Sequence, residues 1–362
     1  MGKHYIIPIF VPHYGCPHDC VFCNQKKITG LATTVTPKDV EKIIEEHLKT
    51  FKSPNIIEVA FYGGTFTAID ISIQKSLLAI PLKYKIEKKI DYIRLSTRPD
   101  AINDLILKNL KDYLVDTIEL GVQSLDQEVL NKSGRGHSVE DVYKAADLIK
   151  DYGFNLGLQM MIGLPGDTIE KSINTCKEFI RLDPFCVRIY PTLVIVDTFL
   201  ETQYLNNKYL PLSLEKAVSL SAMLLMMFKI NDINVIRIGL QPTENIQLGK
   251  DVVVGPFHPS FRQLVETEIY KRIIEYYFKN NNINNMKKEH IIIEASKKEV
   301  SSICGQKSKN ISYLKDKYGF DKVKVYGRDM DENLIYLTID DFYGKMDMKA
   351  LIKSYLQKCF ND

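Results

Sequence analysis

Residues 14–30 read YGCPHDCVFCNQKKITG and place three cysteines, Cys16, Cys20 and Cys23, within eight positions. The chain before them begins MGKHYIIPIFV, an apolar run that is short and followed closely by a second proline. It lacks the apolar core of a signal peptide, and no later segment approaches a membrane-spanning run. A cytoplasmic protein without membrane contact is expected. In that reducing compartment a disulfide framework is disfavoured. The other four cysteines, Cys176, Cys186, Cys304 and Cys359, are scattered, so the clustered three call for a different explanation.

Working outward, the 362 residues are 45% hydrophobic and 26% charged, with 20 tyrosines, 16 phenylalanines and no tryptophan. Such a chain can bury a large core. A net charge of only +3 does not by itself announce a nucleic-acid or membrane partner. Short β-rich runs at 5–11, 56–62, 91–97, 116–123, 154–161 and 186–192 alternate with helical patterns. The clearest helix opens at TPKDVEKIIEEHLK, where Thr36 caps, Pro37 takes the first helical position and Asp39 completes a capping box. Further helices are expected over roughly 100–112, 138–152, 168–181 and 213–230. Six strand–helix repeats predict an α/β fold with a parallel sheet covered by helices. In such folds the chemistry collects in loops after the carboxyl ends of the strands. Here those loops carry the cysteines, GGTF (63–66), TRPD (97–100), GVQS (121–124) with GRGH (134–137), and GLPGDT (163–168).

Three readings of the cysteine loop compete. Free cysteines are often packing residues, but not usually three in eight positions. Zinc needs four ligands, and only His13 or His18 is at hand to complete the set. Three thiolates also suit an iron–sulfur cluster, leaving one iron open to bind something else. Spacing alone ranks the cluster only modestly above zinc.

C-x3-C-x2-C, with the aromatic Phe22 before its last cysteine, resembles the signature of the radical S-adenosylmethionine (SAM) superfamily. The resemblance implies a partial (β/α)6 barrel. It implies a 4Fe-4S cluster on Cys16, Cys20 and Cys23, and SAM held on the open iron and cleaved to a 5′-deoxyadenosyl radical. It also implies an electron donor such as a ferredoxin or flavodoxin. CPHDCVFC, GGTF, TRPD, ELGVQS, GRGHS and YPTLVI further resemble the radical-SAM half of the Elongator catalytic subunit, over roughly residues 5–275. That likeness brings RNA, particularly tRNA, as the expected substrate. It does not extend to an acetyltransferase domain, so a short form of that enzyme is expected. By the same likeness Gly63 and Gly64 let backbone approach the SAM amino group. Gln123 and Arg135 resemble residues that coproporphyrinogen oxidases aim at SAM, with Arg135 on the carboxylate. Gln159 falls where that group places a ribose-binding acid. Met161, Ile162, Tyr190 and Pro191 are candidates to line the adenine pocket. Arg98 is a candidate for substrate contact, Asp100 for a helix cap and His137 for proton handling. His258 and Arg262, in a turn-rich stretch, are candidates for a substrate cleft.

The predicted organisation is a barrel over 1–192, a barrel-capping extension over 193–280, an asparagine-rich linker over 281–289 and a small α+β module over 290–362. The module reads strand, helix, loop, helix, strand, strand, helix, and resembles an RNA-binding KH domain. The gripping loop of such a domain would be Gly305, Gln306, Lys307 and Ser308, followed by Lys309. From Lys297 to Arg328 there are nine basic and three acidic residues. Two alternatives stand beside RNA modification: a radical reaction on a small molecule, as in the coproporphyrinogen oxidases, and an RNA-binding protein with a structural metal site.

Overall fold

The computed structural model describes residues 3–11, 16, 20–24, 35–51, 55–241, 246–283 and 289–361. The chain forms two compact units, Met1–Ser213 with Leu240–Phe257, and Leu214–Gly239 with His258–Asp362.

In the first unit, strands and helices alternate as the sequence predicts. They run β1 (Lys3–Phe10), α1 (Pro37–Leu48), β2 (Asn55–Tyr62), α2 (Ile71–Ile86), β3 (Tyr92–Thr97), α3 (Asp104–Asp112) and β4 (Thr117–Gln123). They continue α4 (Gln127–Lys132), α5 (Val139–Asp151), β5 (Asn155–Ile162), α6 (Ile169–Arg181) and β6 (Cys186–Pro191). β1 to β6 lie side by side in chain order, every neighbouring pair parallel. The Thr36–Asp39 capping box starts α1. After β6 come β7 (Val194–Ile195), which pairs antiparallel with Val252–Val254, and α7 (Phe199–Leu205).

The sheet is curled. β2 and β6 are four strand spacings apart, about 19 Å if the sheet were flat. Yet Arg188 Nη2 on β6 donates to the Tyr62 hydroxyl on β2 at 2.7 Å. Arg94 Nη1 on β3 likewise reaches Cys186 Sγ on β6 at 3.4 Å. Contacts this short require a half-barrel whose concave face brings distant strands together.

Two local expectations are corrected. The six strand–helix repeats call for a helix between β2 and β3, but the sequence pattern does not mark out its span, 71–86. Its apolar residues fall all round the helix and Pro81 lies inside it, so no one-sided period is visible. Asp100 does not cap the next helix. α3 begins only at Asp104, where Asn103 accepts from the Ile106 amide, while Asp100 sits in a 3-10 turn and takes Arg98.

The second unit contains α8 (Leu214–Ile230), β8 (Asn234–Ile238), then after β9 (Val252–Val254) of the first unit, α9 (Phe261–Asn280). The C-terminal module comprises β10 (His290–Ser296), α10 (Val300–Cys304), α11 (Lys309–Tyr318), β11 (Lys322–Arg328), β12 (Leu334–Ile339), β13 (Phe342–Asp347) and α12 (Met348–Asn361). Its sheet order is β11-β10-β12-β13, parallel between β10 and β11 and antiparallel elsewhere. β13 is a fourth strand beyond the three expected from sequence. Its Gly344 and two charges make FYGKMD look like a turn followed by helix.

The units divide the chain elsewhere than at the proposed linker, of which 284–288 lie outside the described residues. α9 belongs to the same body as the module. Asn310 Nδ2 donates to the Thr267 carbonyl at 3.0 Å, and Ser302 Oγ donates to Glu266 at 3.0 Å. Tyr270 donates to Glu299, and the Phe278 ring meets Tyr318 edge-on. Arg262 and His258 also belong to this unit. Arg262 donates to Glu266 and to the Val235 carbonyl, while His258 Nδ1 accepts from the Ser260 amide.

Candidate active site

The loops after β1 to β4 and the middle of β5 meet around a cavity of about 260 Å³ in the first unit. Cys16, Cys20 and Cys23 line one side, with Phe22 beside them. The Cys23 amide donates to the Cys20 carbonyl at 3.0 Å, which fixes that turn. Cys16 Sγ shares a hydrogen bond with Thr65 Oγ1 at 3.2 Å, tying the cysteine loop to the turn after β2. That turn is Gly63–Gly64, with φ of 80° and 59°, a left-handed pair that side chains disfavour.

Gln123 and Arg135 line the same cavity. Gln123 closes β4 at a register shift with φ 70°, an uncommon backbone for a residue with a side chain. The shift turns its amide into the cavity, as bulges near functional sites do. Gln123 is 8% exposed and Arg135 6%. Gln123 Oε1 and Arg135 Nε have no hydrogen-bond partner among the described residues, a costly state for buried polar atoms. Arg135 Nη1 donates to Cys20 Sγ at 3.2 Å, Nη2 donates to the Gly121 carbonyl, and its own carbonyl accepts from Arg98. Arg98 is in turn held by Asp100 at 2.9 and 3.0 Å. Arg98 therefore supports the loop that carries Arg135 and also lines the cavity.

Gln159 lines the cavity from β5. Its Nε2 donates to Glu119 Oε2 at 3.0 Å and to Ser96 Oγ at 3.3 Å. A carboxylate only accepts, so the amide nitrogen faces Glu119 and the Gln159 carbonyl oxygen is directed elsewhere. Met161 and Tyr190 are adjacent in register on β5 and β6 but do not line the cavity. His137 is 3% exposed and does not line it either. Burial first, then Arg135 and Arg98, push its imidazole down to about 3, so the ring is neutral at ordinary pH. A neutral, enclosed imidazole between two guanidinium groups is poorly suited to hand over a proton.

Below the cavity lies a charged layer that sequence reasoning missed. Glu119 accepts from Arg94 at 2.7 Å and from Arg188 at 2.6 and 2.9 Å, and Arg94 also donates to Glu58 at 2.9 Å. Burial pushes the Glu119 carboxyl up, but Arg188 and Arg94 outweigh it and hold the group below the usual carboxylate range. Burial works against the Arg188 charge too, and Glu119 more than compensates. Burial and the Glu119 charge raise Tyr62 well above the ordinary phenol range, so it stays protonated. A signal was present: IIEVAFY, DYIRLST, DTIELGVQ and CVRIYPT each interrupt an apolar strand with one central charge. Charges of both signs in the middle of four apolar strands indicate mutual pairing in a closed interior.

In the module, Gly305 is buried; a Cβ there would lie 2.7 Å from the Thr267 methyl. Gln306 is half-buried, and Lys307, Ser308 and Lys309 are exposed, Lys307 and Ser308 having left-handed φ.

Comparison with known proteins agrees with this architecture. The radical SAM superfamily model matches residues 10–179, and the radical SAM C-terminal domain model matches 184–271. A tRNA uridine(34) acetyltransferase of Methanocaldococcus jannaschii is 28% identical over 255 residues, covering 59% of this chain and 47% of the relative. Elongator complex protein 3 of Saccharomyces cerevisiae is 33% identical over 265 residues, covering 61% and 48%. The chain thus spans about half the length of these relatives. The archaeal Methanocaldococcus infernus Elp3 structure, at 22% identity and a TM-score of 0.57 over 78% of this chain and 64% of that one, shares the fold. With its cysteine loop, half-barrel and Elongator-like relatives, the chain belongs to the radical SAM superfamily of enzymes.

Proposed function

We propose that the first unit holds a 4Fe-4S cluster and SAM, and that the enzyme modifies RNA, with tRNA the favoured class. The observation that carries this reading is the convergence of three thiols and two buried, incompletely partnered polar side chains on one cavity. Among the described residues no three His, Cys, Asp or Glu side chains stand close enough to hold a single ion. Three thiols on one side of such a cavity suit a cluster with one open iron better than zinc, which needs four ligands.

Bound there, the cluster and SAM supply reductive cleavage of the sulfonium and a 5′-deoxyadenosyl radical. The protein's part is binding and orientation. Cys16, Cys20 and Cys23 ligate the cluster, and Thr65 and Arg135 steady two of the sulfurs. Gly63 and Gly64 expose backbone to the SAM amino group. Arg135 pairs its guanidinium with the SAM carboxylate, with Gln123 alongside. Gln159 offers its carbonyl oxygen to a ribose hydroxyl. RNA as substrate is supported by the tRNA uridine(34) acetyltransferases among the relatives and by the basic loop of the module. Acetyl transfer is not carried over, since the similarity covers about half of those proteins.

The test is anaerobic reconstitution with iron and sulfide. The reading predicts a brown protein that releases 5′-deoxyadenosine from SAM under reduction. Cys16→Ala, Cys20→Ala and Cys23→Ala should each abolish both. A colourless wild type, or deoxyadenosine release that survives all three substitutions, would refute it.

A further inference from the structure

We infer that the solvent face of the C-terminal sheet is a platform on which unpaired RNA bases stack; this rests on the RNA reading above. The four strands bury one face, through Ile291, Ile293, Ile335, Leu337 and Met346. The alternate residues form the other face, and their register sets out its composition. One row across the sheet reads Tyr326, Glu294, Tyr336, Lys345; the next reads Lys324, Ile292, Thr338, Tyr343.

Three tyrosines on an open sheet face are unusual, because large aromatic rings lose most by remaining in water. Tyr326 is 38% exposed and Tyr343 65%. Tyr336 and Tyr343 are stacked, with centroids 5.9 Å apart and planes 17° from parallel. Lys324 Nζ and Arg328 Cζ lie 5.8 and 5.7 Å from the Tyr326 ring centre. Tyr326 and Tyr336 stand two strands apart, about 10 Å, and so offer two separate platforms.

Charge selects the partner. The face carries Lys322, Lys324, Arg328 and Lys345 against Glu294 and Asp347. Glu294 is taken up by Arg328 at 2.7 Å, and Asp347 caps the Ala350 amide. Lys322, Lys324 and Lys345 therefore remain around the rings. Aromatic planes ringed by cations fit a polyanion with exposed π faces, which is single-stranded nucleic acid. A duplex keeps its bases stacked and has none to offer.

The experiment measures binding of a fluorescein-labelled single-stranded RNA of about ten nucleotides, and of its duplex, to the full chain by fluorescence anisotropy. The single strand should bind more tightly. Tyr336→Ala with Tyr343→Ala should weaken it about tenfold or more, whereas the same two positions changed to Phe should bind like wild type, since stacking needs the ring and not the hydroxyl. Lys324→Glu with Lys345→Glu should weaken binding and flatten its salt dependence. All these side chains face solvent, so circular dichroism should be unchanged. An alanine pair that binds like wild type overturns the platform. If in addition Lys307→Glu with Lys309→Glu abolishes binding, the loop is the grip and the RNA reading survives. A wild type that binds no RNA overturns both. A face whose alanine pair only converts a dimer to a monomer belongs to a second copy of this chain, which also overturns the platform.

Discussion

Gln159 and Glu119 are coupled through one hydrogen bond of 3.0 Å, and that bond decides which side-chain chemistry position 159 tolerates. A carboxylate at 159 would face the Glu119 carboxylate. At an effective dielectric of about 20, like charges at 4 Å repel by about 4 kcal/mol. Gln159→Glu is therefore expected to lower the urea midpoint and weaken SAM binding about tenfold or more. Adding Glu119→Gln exchanges the two groups, keeps the charge beside Arg188, and should recover much of both losses. Calorimetric SAM titration and urea unfolding of the two singles and the double provide the check; a double that merely sums the singles would show that the two positions are not coupled.

His137 makes a pH prediction of definite sign. Its folded pKa is pushed down to about 3, by burial and by Arg135 and Arg98 with Asp100 opposing, against about 6.5 when unfolded. The unfolded chain therefore binds a proton that the folded chain refuses. Stability from this group is full above pH 6.5 and is lost as pH falls toward 3, by about 2 kcal/mol already at pH 5. Urea unfolding at pH 7 and pH 5 should show a smaller acid loss for His137→Gln than for wild type. An equal loss in both proteins would mean that the ring titrates normally when folded.

At the level of elements, β1 to β6 were legible because each ran apolar for five to eight residues between turn signals, and the capped amphipathic helices because their apolar residues shared one face. α2 was not: its burial is one-sided, but apolar Ile73 and Ile86 face solvent and polar Gln74 is buried, which blurs the period that marks a surface helix. The charged layer was legible only as isolated charges, because pairing across a curled sheet joins residues as far apart as 62 and 188. β5 shows the packing this demands. A Cβ on Gly157 would lie 2.7 Å from Glu119 Cγ and 3.3 Å from Cys186 Sγ. Gly157→Ala should thus destabilise the protein by about 1–3 kcal/mol, as overpacking does, and thermal melting measures it. An unchanged melting temperature would mean that Glu119 has room to move.

For the whole molecule, loops far apart in the chain converge on one cavity, and the two compact units divide elsewhere in the sequence than at the asparagine-rich stretch. Cys16, Cys20, Cys23, Gly63, Gly64, Gln123, Arg135 and Gln159 lie far apart in the chain but share one cavity, because β1 to β5 are neighbours in chain order and the loops after β1 to β4 open beside the middle of β5. The unit boundary was hidden because polar, asparagine-rich composition reports solvent exposure, not which elements pack together. α9 ends close to that stretch yet packs against the C-terminal module on its far side.

The Arg188–Tyr62 bond spans the half-barrel from its second strand to its sixth, and both ends are protein. It works as a tie rod whose tension members contain no inorganic part. Air that strips the iron would then leave the scaffold in its working outline, an empty socket ready to be refilled instead of a denatured chain to be discarded.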